Sequence, residues 1–269
     1  MISAWAATAF NQVPDSANEI HGDSLAKEYG FVGGLVPGVT VSAYLVHPAV
    51  ESWGLEWLTQ GGAHVRVISP LYDGESFEVG MLEQSTDVYS AELVRPDGIV
   101  SANAEVWLAA TEMQASTRRG DSIVDVGYVA PMACVEHWAH LQQQGCHAVR
   151  YRWGDENAMH TYLRDDALMP VLLQDEGGGF ANMSFILGIS NWVLASNAYM
   201  NPWVHLETRS QNFAPIPLGT VIVAEMEVRD FYEKKGHEFV DVDVALYDES
   251  DDTCLATIAL RAIYKLRGS

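Results

Sequence analysis

His64-Val-Arg-Val-Ile-Ser-Pro70-Leu-Tyr-Asp-Gly74, with the strand-like Ser76–Leu82 after it, has a counterpart later in the chain. That counterpart is His205-Leu-Glu-Thr-Arg-Ser-Gln-Asn-Phe-Ala-Pro215-Ile-Pro217-Leu-Gly219, followed by Thr220–Val228. Each stretch reads as a strand, a proline-containing bend, a glycine turn and a second strand. Both continue alike. Val88–Val94 turns at Pro96-Asp-Gly98 into Ile99–Leu108, and Phe239–Tyr247 turns through Asp248–Asp252 into Cys254–Leu266. Asp241 and Asp243 alternate with Val240, Val242 and Val244, the period of two that gives a strand one wet and one buried face. Ahead of each strand set lies an apolar helix-like segment. The first is Pro37–Trp53, with proline in its first turn; the second is Phe180–Tyr199, behind Gly177-Gly178-Gly179. The chain thus reads as α+β, with a helix and four antiparallel strands used twice. The polar residues 114–122 are the expected linker between an N-terminal unit (1–113) and a C-terminal unit (123–269). A further helix, Met132–Gln144, is expected to stop at Gly145.

Composition narrows the function. Hydrophobic residues make up 48% of the 269 and charged ones 19%, which is globular and not disordered. The 36 acidic against 15 basic side chains leave a formal net charge of −21. That excess disfavours nucleic acid and anionic membrane surfaces as partners. Basic side chains are dense only at Arg118-Arg119, Arg150/Arg152 and Lys234-Lys235, so a phosphate-rich ligand would need one of these spots beside its pocket. The longest apolar runs, Val39–Val50 and Phe185–Leu194, are too short or too interrupted to cross a bilayer. The start of the chain lacks a basic segment followed by an apolar stretch. Cys134, Cys146 and Cys254 contain no CxxC pair. A reduced, cytoplasmic protein is the expectation.

Proton-transfer chemistry points to Asn18-Glu-Ile-His21-Gly-Asp23 and the Gly30-Phe-Val-Gly33-Gly34-Leu-Val-Pro37-Gly38 run that follows. A histidine on a polar loop precedes a glycine-rich turn that opens into a helix. Imidazole titrates near neutrality and can accept and return a proton. The free N–H groups of a first helical turn stabilise negative charge on a carbonyl oxygen. His21 and the Gly38 N–H are therefore candidate catalytic groups. From about Asp15 to Gly38 the chain resembles the hydratase signature of the MaoC-like hotdog family. There the loop reads roughly Asp-x-Asn-Pro-x-His, and a Gly-Phe…Gly-Pro-Ile-x-His-Gly run leads into the central helix.

The resemblance implies a double hotdog, two curved antiparallel sheets each wrapped around a central helix. It implies hydration or dehydration of an enoyl or 3-hydroxyacyl thioester, an acyl-CoA-like small molecule; a homodimer is one candidate assembly, and the oligomeric state is left open by the sequence. Neither a cofactor nor a metal is expected. In the family an acid and the histidine act together on water and substrate. Aligning Asn18 and His21 puts Ser16 at the acid position and Pro37 at a second family histidine. Asp15, one residue further out, becomes the acid candidate, with Asp23 as another. Asn18, Gly33, Gly34 and Pro37 are the candidate substrate-binding residues.

The second half offers alternatives. Asp155-Glu-Asn157-Ala-Met-His160 repeats the Asp-x-Asn-x-x-His spacing, but no Gly-Phe element follows at the right distance, so it reads as coincidence. Asp175-Glu176-Gly177-Gly178-Gly179-Phe180 sets two acids before the second helix. Hotdog thioesterases resemble this, with an acid activating water beside backbone donors, so hydrolysis by Asp175 or Glu176 is an alternative. Another is a pocket that binds without turnover, or that transforms a small molecule not carried on coenzyme A; Ser16, Pro37 and the net charge motivate it. Trp53, Trp57, Trp153, Trp192 and Trp203 are read mostly as packing, with a subset lining a tunnel. His47, His137, His140 and His147 lack metal-ligand spacing. No Gly-x-Ser-x-Gly elbow, P-loop or dinucleotide fingerprint occurs.

Overall fold

The computed structural model of the protein describes residues 2–109, 114–154 and 156–267. The expected boundary at residue 113, and Asp155 of the second Asp-x-Asn-x-x-His match, lie outside the described residues. The first half runs β1 (Trp5–Thr8), α1 (Asp23–Glu28), α2 (Gly38–Trp53), α3 (Leu55–Gln60), β2 (Gly62–Val67), β3 (Ser76–Gln84), β4 (Val88–Val94) and β5 (Val100–Trp107). The second runs α4 (Val135–Gln144), β6 (Val149–Arg152), α5 (Met183–Asn197), β7 (Val204–Asn212), β8 (Val221–Lys234), β9 (His237–Asp248) and β10 (Cys254–Lys265).

Among the described residues the strands form one ten-stranded sheet in the order β1-β3-β4-β5-β2-β7-β10-β9-β8-β6, with every pairing antiparallel. Outward from its centre the two halves carry the same order, so the repeat seen in the sequence is a repeat in space. The strands that begin the two repeats, β2 and β7, are the central neighbours, with Ala63 opposite Ser210 and His64 opposite Arg209. The expectation of two separate sheets is corrected here. After pairing with β5 and β10, β2 and β7 each retain one unpaired edge, and each edge satisfies the other.

Both central helices are apolar nearly all round because both are covered on every side. Val39 to Val50 are all buried in α2, as are Met183 to Ser190 in α5. Helix α2 packs against β2, β4, β5 and β7, α5 packs against β6, β8 and β10, and the two helices touch each other. Helix α5 begins later than Phe180 because the Asn182 side chain caps it, its Oδ1 accepting from the Phe185 N–H at 3.2 Å. Helix α2 has Pro37 at its cap position and no side-chain cap. Helix α4 stops at Gly145, which has a φ of 90°.

Part of the expected linker segment, residues 119–121, is bonded to the sheet. Glu225, fully buried on β8, accepts hydrogen bonds from the N–H groups of Arg119, Gly120 and Asp121 at 2.7, 2.7 and 2.9 Å. A buried carboxylate is tolerable only with such donors. Among the described residues no helix is long and apolar enough to cross a membrane.

Candidate active site

The His21 loop is held by backbone contacts that explain its glycines. His21 ends a short 3-10 turn, Glu19–His21. The 33–35 segment passes directly over it: a Cβ on Gly34 would lie 2.1 Å from the His21 carbonyl oxygen, so only glycine fits. The Gly34 N–H donates to Asp23 Oδ1 at 2.9 Å, and the Leu35 N–H to the Ile20 carbonyl at 3.1 Å. Asn11 Nδ2 donates to the His21 carbonyl at 2.9 Å. The loop is also tied to the second half. Asn18 Nδ2 donates to the Trp203 carbonyl at 3.0 Å while Asn18 Oδ1 accepts from the Trp203 N–H at 3.2 Å.

This architecture fixes the state of His21. Its Nδ1 lies 2.7 Å from the Leu35 carbonyl oxygen. A carbonyl only accepts, so Nδ1 carries the hydrogen and Nε2 presents its lone pair. Burial lowers the pKa of His21 below the ordinary histidine value, against the opposing effect of the Leu35 bond. The neutral, basic form is the resting form.

A second histidine meets the first. His21, Gly38, Asn191, Trp203 and His205 line one cavity of about 40 Å³, closed by apolar side chains that include Leu35, Val41 and Leu71. His205, on β7, has Nδ1 3.0 Å from Asn191 Oδ1, an acceptor, so its Nε2 is also the free nitrogen. Burial, and then the neighbouring His21, push the His205 pKa down to about 3. A Cβ on Gly38 would stand 2.9 Å from His205 Cδ2, the ring carbon bonded to Nε2. Glycine therefore brings the first turn of α2 against this ring edge. Neither Gly38 nor Val39 finds an acceptor for its N–H among the described residues, as expected at an uncapped helix start.

On its other side His21 lines an open cleft of about 1040 Å³ with Asp15, Ser16, Glu19, Asp23, Asp73 and Arg164. The structure brings His21, Gly38 and Asn18 to the inner cavity, and Pro37, buried, precedes Gly38. It does not join Asp15 to His21. Asp15 is exposed on the cleft rim and makes no hydrogen bond among the described residues. Asp23 is occupied by Gly34 and by Lys27, 3.6 Å away. Asn18 spends its amide on Trp203, and Gly33 packs beside Asp23. Asp175 and Glu176 are exposed on a short 3-10 turn and line neither space. The ring of His160 stacks on Trp153. Of the tryptophans singled out, only Trp203 reaches the cavity.

Sequence reasoning passed over His205 and Asn191. Neither belongs to a motif with His21. The usable signal was positional: His205 opens the second repeat, and pairing the two repeats at the sheet centre carries it towards the other half's helix.

No protein-family model matches the sequence, and no curated protein matches it. Solved structures do. A protein from Chloroflexus aurantiacus described as a MaoC domain dehydratase superposes with a TM-score of 0.60 at 11% identity, over 100% of this chain and 96% of that one. A Mycobacterium tuberculosis protein described as having a double hotdog fold gives 0.58 at 10% identity, over 97% and 95%. A protein from Thermobifida fusca described as a thioesterase II gives 0.53 at 11% identity, over 98% and 92%. At such identities the likeness establishes the fold. This chain is a double hotdog.

Proposed function

We propose that the protein hydrates an enoyl thioester, or dehydrates the 3-hydroxyacyl thioester, with His21 as the acid–base. One observation carries this reading: His21, whose Nδ1 is held by the Leu35 carbonyl, and Gly38, whose N–H has no acceptor among the described residues, line the same small cavity. The dehydratase and thioesterase descriptions of the structural relatives support the thioester class. In the hydration direction His21 Nε2 takes a proton from water as the water oxygen adds to the β-carbon. The electron pair moves through the double bond onto the thioester oxygen, where the Gly38 N–H and the start of α2 stabilise the enolate. The His21 imidazolium, made more acidic by burial, then protonates the α-carbon.

His205 has a different task. With its pKa pushed down to about 3 it stays neutral at physiological pH, so it is not the group that shuttles the proton. Its Nε2 accepts a hydrogen bond from the attacking water and orients it, and Asn191 fixes the ring. Two histidines in one cavity thus divide into a proton carrier and a positioning group. Asp15 has no required part in this scheme. The N-terminal unit supplies the base and the helix start, and the C-terminal unit supplies the water-positioning pair, with α2 packed against strands of both halves.

Crotonyl thioesters test the reading through loss of enoyl absorbance. Replacing His21 by Ala should lower the rate by about 10²–10⁴-fold, while Asp175→Ala and Glu176→Ala leave it unchanged. Release of free thiol that survives His21→Ala, with no loss of enoyl absorbance from thioester retained intact, would replace hydration by hydrolysis.

A further inference from the structure

We infer that the His21 site takes an acyl group on an uncharged or short carrier, and discriminates against a phosphate-bearing one. The inference rests on the acid–base reading for the reactive end of the substrate. It goes further in naming what the rest of the substrate must be.

The cavity that holds the reactive groups is about 40 Å³, room for only a few heavy atoms. More than nine-tenths buried, His205 lines it, and its Nε2 has no partner among the described residues, so a polar ligand atom within reach would satisfy it. Everything beyond that atom's neighbourhood must lie elsewhere. The open cleft of about 1040 Å³ is the space that shares His21 with the cavity. Its wall carries Asp15, Glu19, Asp23 and Asp73, four carboxylates, against the single guanidinium of Arg164.

That one cation is already engaged. Arg164 forms an ion pair with Asp73 and lies over the Phe10 ring. Lys27, just outside, pairs with Asp23. Of the denser basic spots, Arg118 and Arg119 face Asp252, Asp121 and Glu225, Arg150 faces Glu249, and neither Arg152 nor Lys234-Lys235 lines the cleft. Among the described residues no basic cluster lines the cleft. A carrier bearing phosphates would therefore bring negative charge to a negative wall within a Debye length. A chain net charge of −21 adds to that field.

Butyryl-N-acetylcysteamine, which is uncharged, and butyryl-CoA are saturated thioesters that the hydration step leaves intact. Their binding to the full chain can be followed by calorimetry or by the fluorescence of Trp203 and its neighbours, at low and high salt. At low salt the uncharged ester should bind about tenfold or more tightly, and salt should close most of the gap by screening. The double variant Asp15→Asn/Glu19→Gln, changed only on the exposed rim, should narrow the gap at low salt. Equal or tighter binding of butyryl-CoA, a gap insensitive to salt and to the rim variant, or no binding of either ester overturns the inference. Turnover of the crotonyl esters, measured in parallel, judges the acid–base reading separately. Binding with the expected preference but without turnover sustains the carrier inference and removes the hydratase one.

Discussion

Gly34 and Gly38 lie four residues apart and are glycine for different reasons. At Gly34 the obstacle is backbone, the His21 carbonyl 2.1 Å from where a Cβ would stand. Gly34→Ala should therefore displace the loop and cost about 1–3 kcal/mol of stability by chemical denaturation. At Gly38 the obstacle is a side chain, His205, whose displacement means giving up its 3.0 Å contact with Asn191. Gly38→Ala should cost less stability than Gly34→Ala yet cut turnover, by moving the His205 ring away from the helix start. Equal effects of the two on stability would remove the distinction.

The buried histidines also set a pH dependence. His205 has a folded pKa of about 3, below its unfolded value. Above pH 6.5 it is neutral in both states and adds no pH dependence. As pH falls below 6.5 the unfolded chain takes up the proton first, and stability is lost at up to about 1.4 kcal/mol per unit until the folded pKa is reached. Between pH 7 and 5 the wild type should lose about 2 kcal/mol more than His205→Gln. Identical slopes would contradict the burial of a neutral ring. At this scale loop and turn chemistry in the sequence pointed to His21 and Gly38, which the structure brings to one cavity. The sequence hid His205 and Asn191, because a lone histidine on a strand and an asparagine within a helix acquire roles only when the two halves meet. It also misdirected attention to Asp15, since spacing along a loop does not say which side chain faces inward.

Helix α2 contains Pro48, which lacks an N–H for the carbonyl of Tyr44 one turn earlier. The Trp5 indole of β1 supplies the missing donor, its Nε1 donating to the Tyr44 carbonyl at 3.1 Å while its ring stacks on His47 at 3.8 Å. Trp5→Phe keeps a ring there and loses the donor, so it should cost about 1–3 kcal/mol, read as a shift in the urea midpoint. An unshifted midpoint would mean that water replaces the indole. The two central helices are pinned near their starts by a polar knot. Thr40 Oγ1 donates to Gln12 Oε1 at 2.5 Å, and Gln12 Nε2 donates to Ser184 Oγ at 3.2 Å and to the Thr161 carbonyl at 2.6 Å. These bonds lie behind the start of α2 and help fix its angle to the sheet. Element type was legible in the sequence because the apolar runs and the period-two strands are long. The exact starts were not, since Asn182 caps α5 two residues inside the expected segment.

At the scale of the molecule the repeat was the most legible feature, and its consequence, a single sheet, was not. Repeats announce two similar units but not which edges they share. The shared edge is polar as well as paired: Glu207 on β7 accepts from His64 at 2.6 Å and from Arg66 at 2.8 Å, both on β2, and also faces Arg261 on β10. Trp107 Nε1 donates to Gln211 Oε1 across the same junction at 2.9 Å. With the helices also in contact, the two halves should unfold in one transition, coincident by far-ultraviolet dichroism and tryptophan fluorescence. Two separated transitions would make them independent. The candidate site depends on that union, since His21 and Gly38 come from one half and Asn191 and His205 from the other. The most direct test follows solvent deuterium into the product when a crotonyl thioester is incubated with the protein in D2O. Nuclear magnetic resonance should find one deuterium at the α-carbon of the 3-hydroxybutyryl product with the thioester intact, formed by the wild type and by Asp15→Asn. His21→Gln should form essentially none, and His205→Gln should form it slowly. Undiminished α-deuteration by His21→Gln, or free thiol in place of the hydroxyacyl product, would contradict a proton-transfer site built across the two halves.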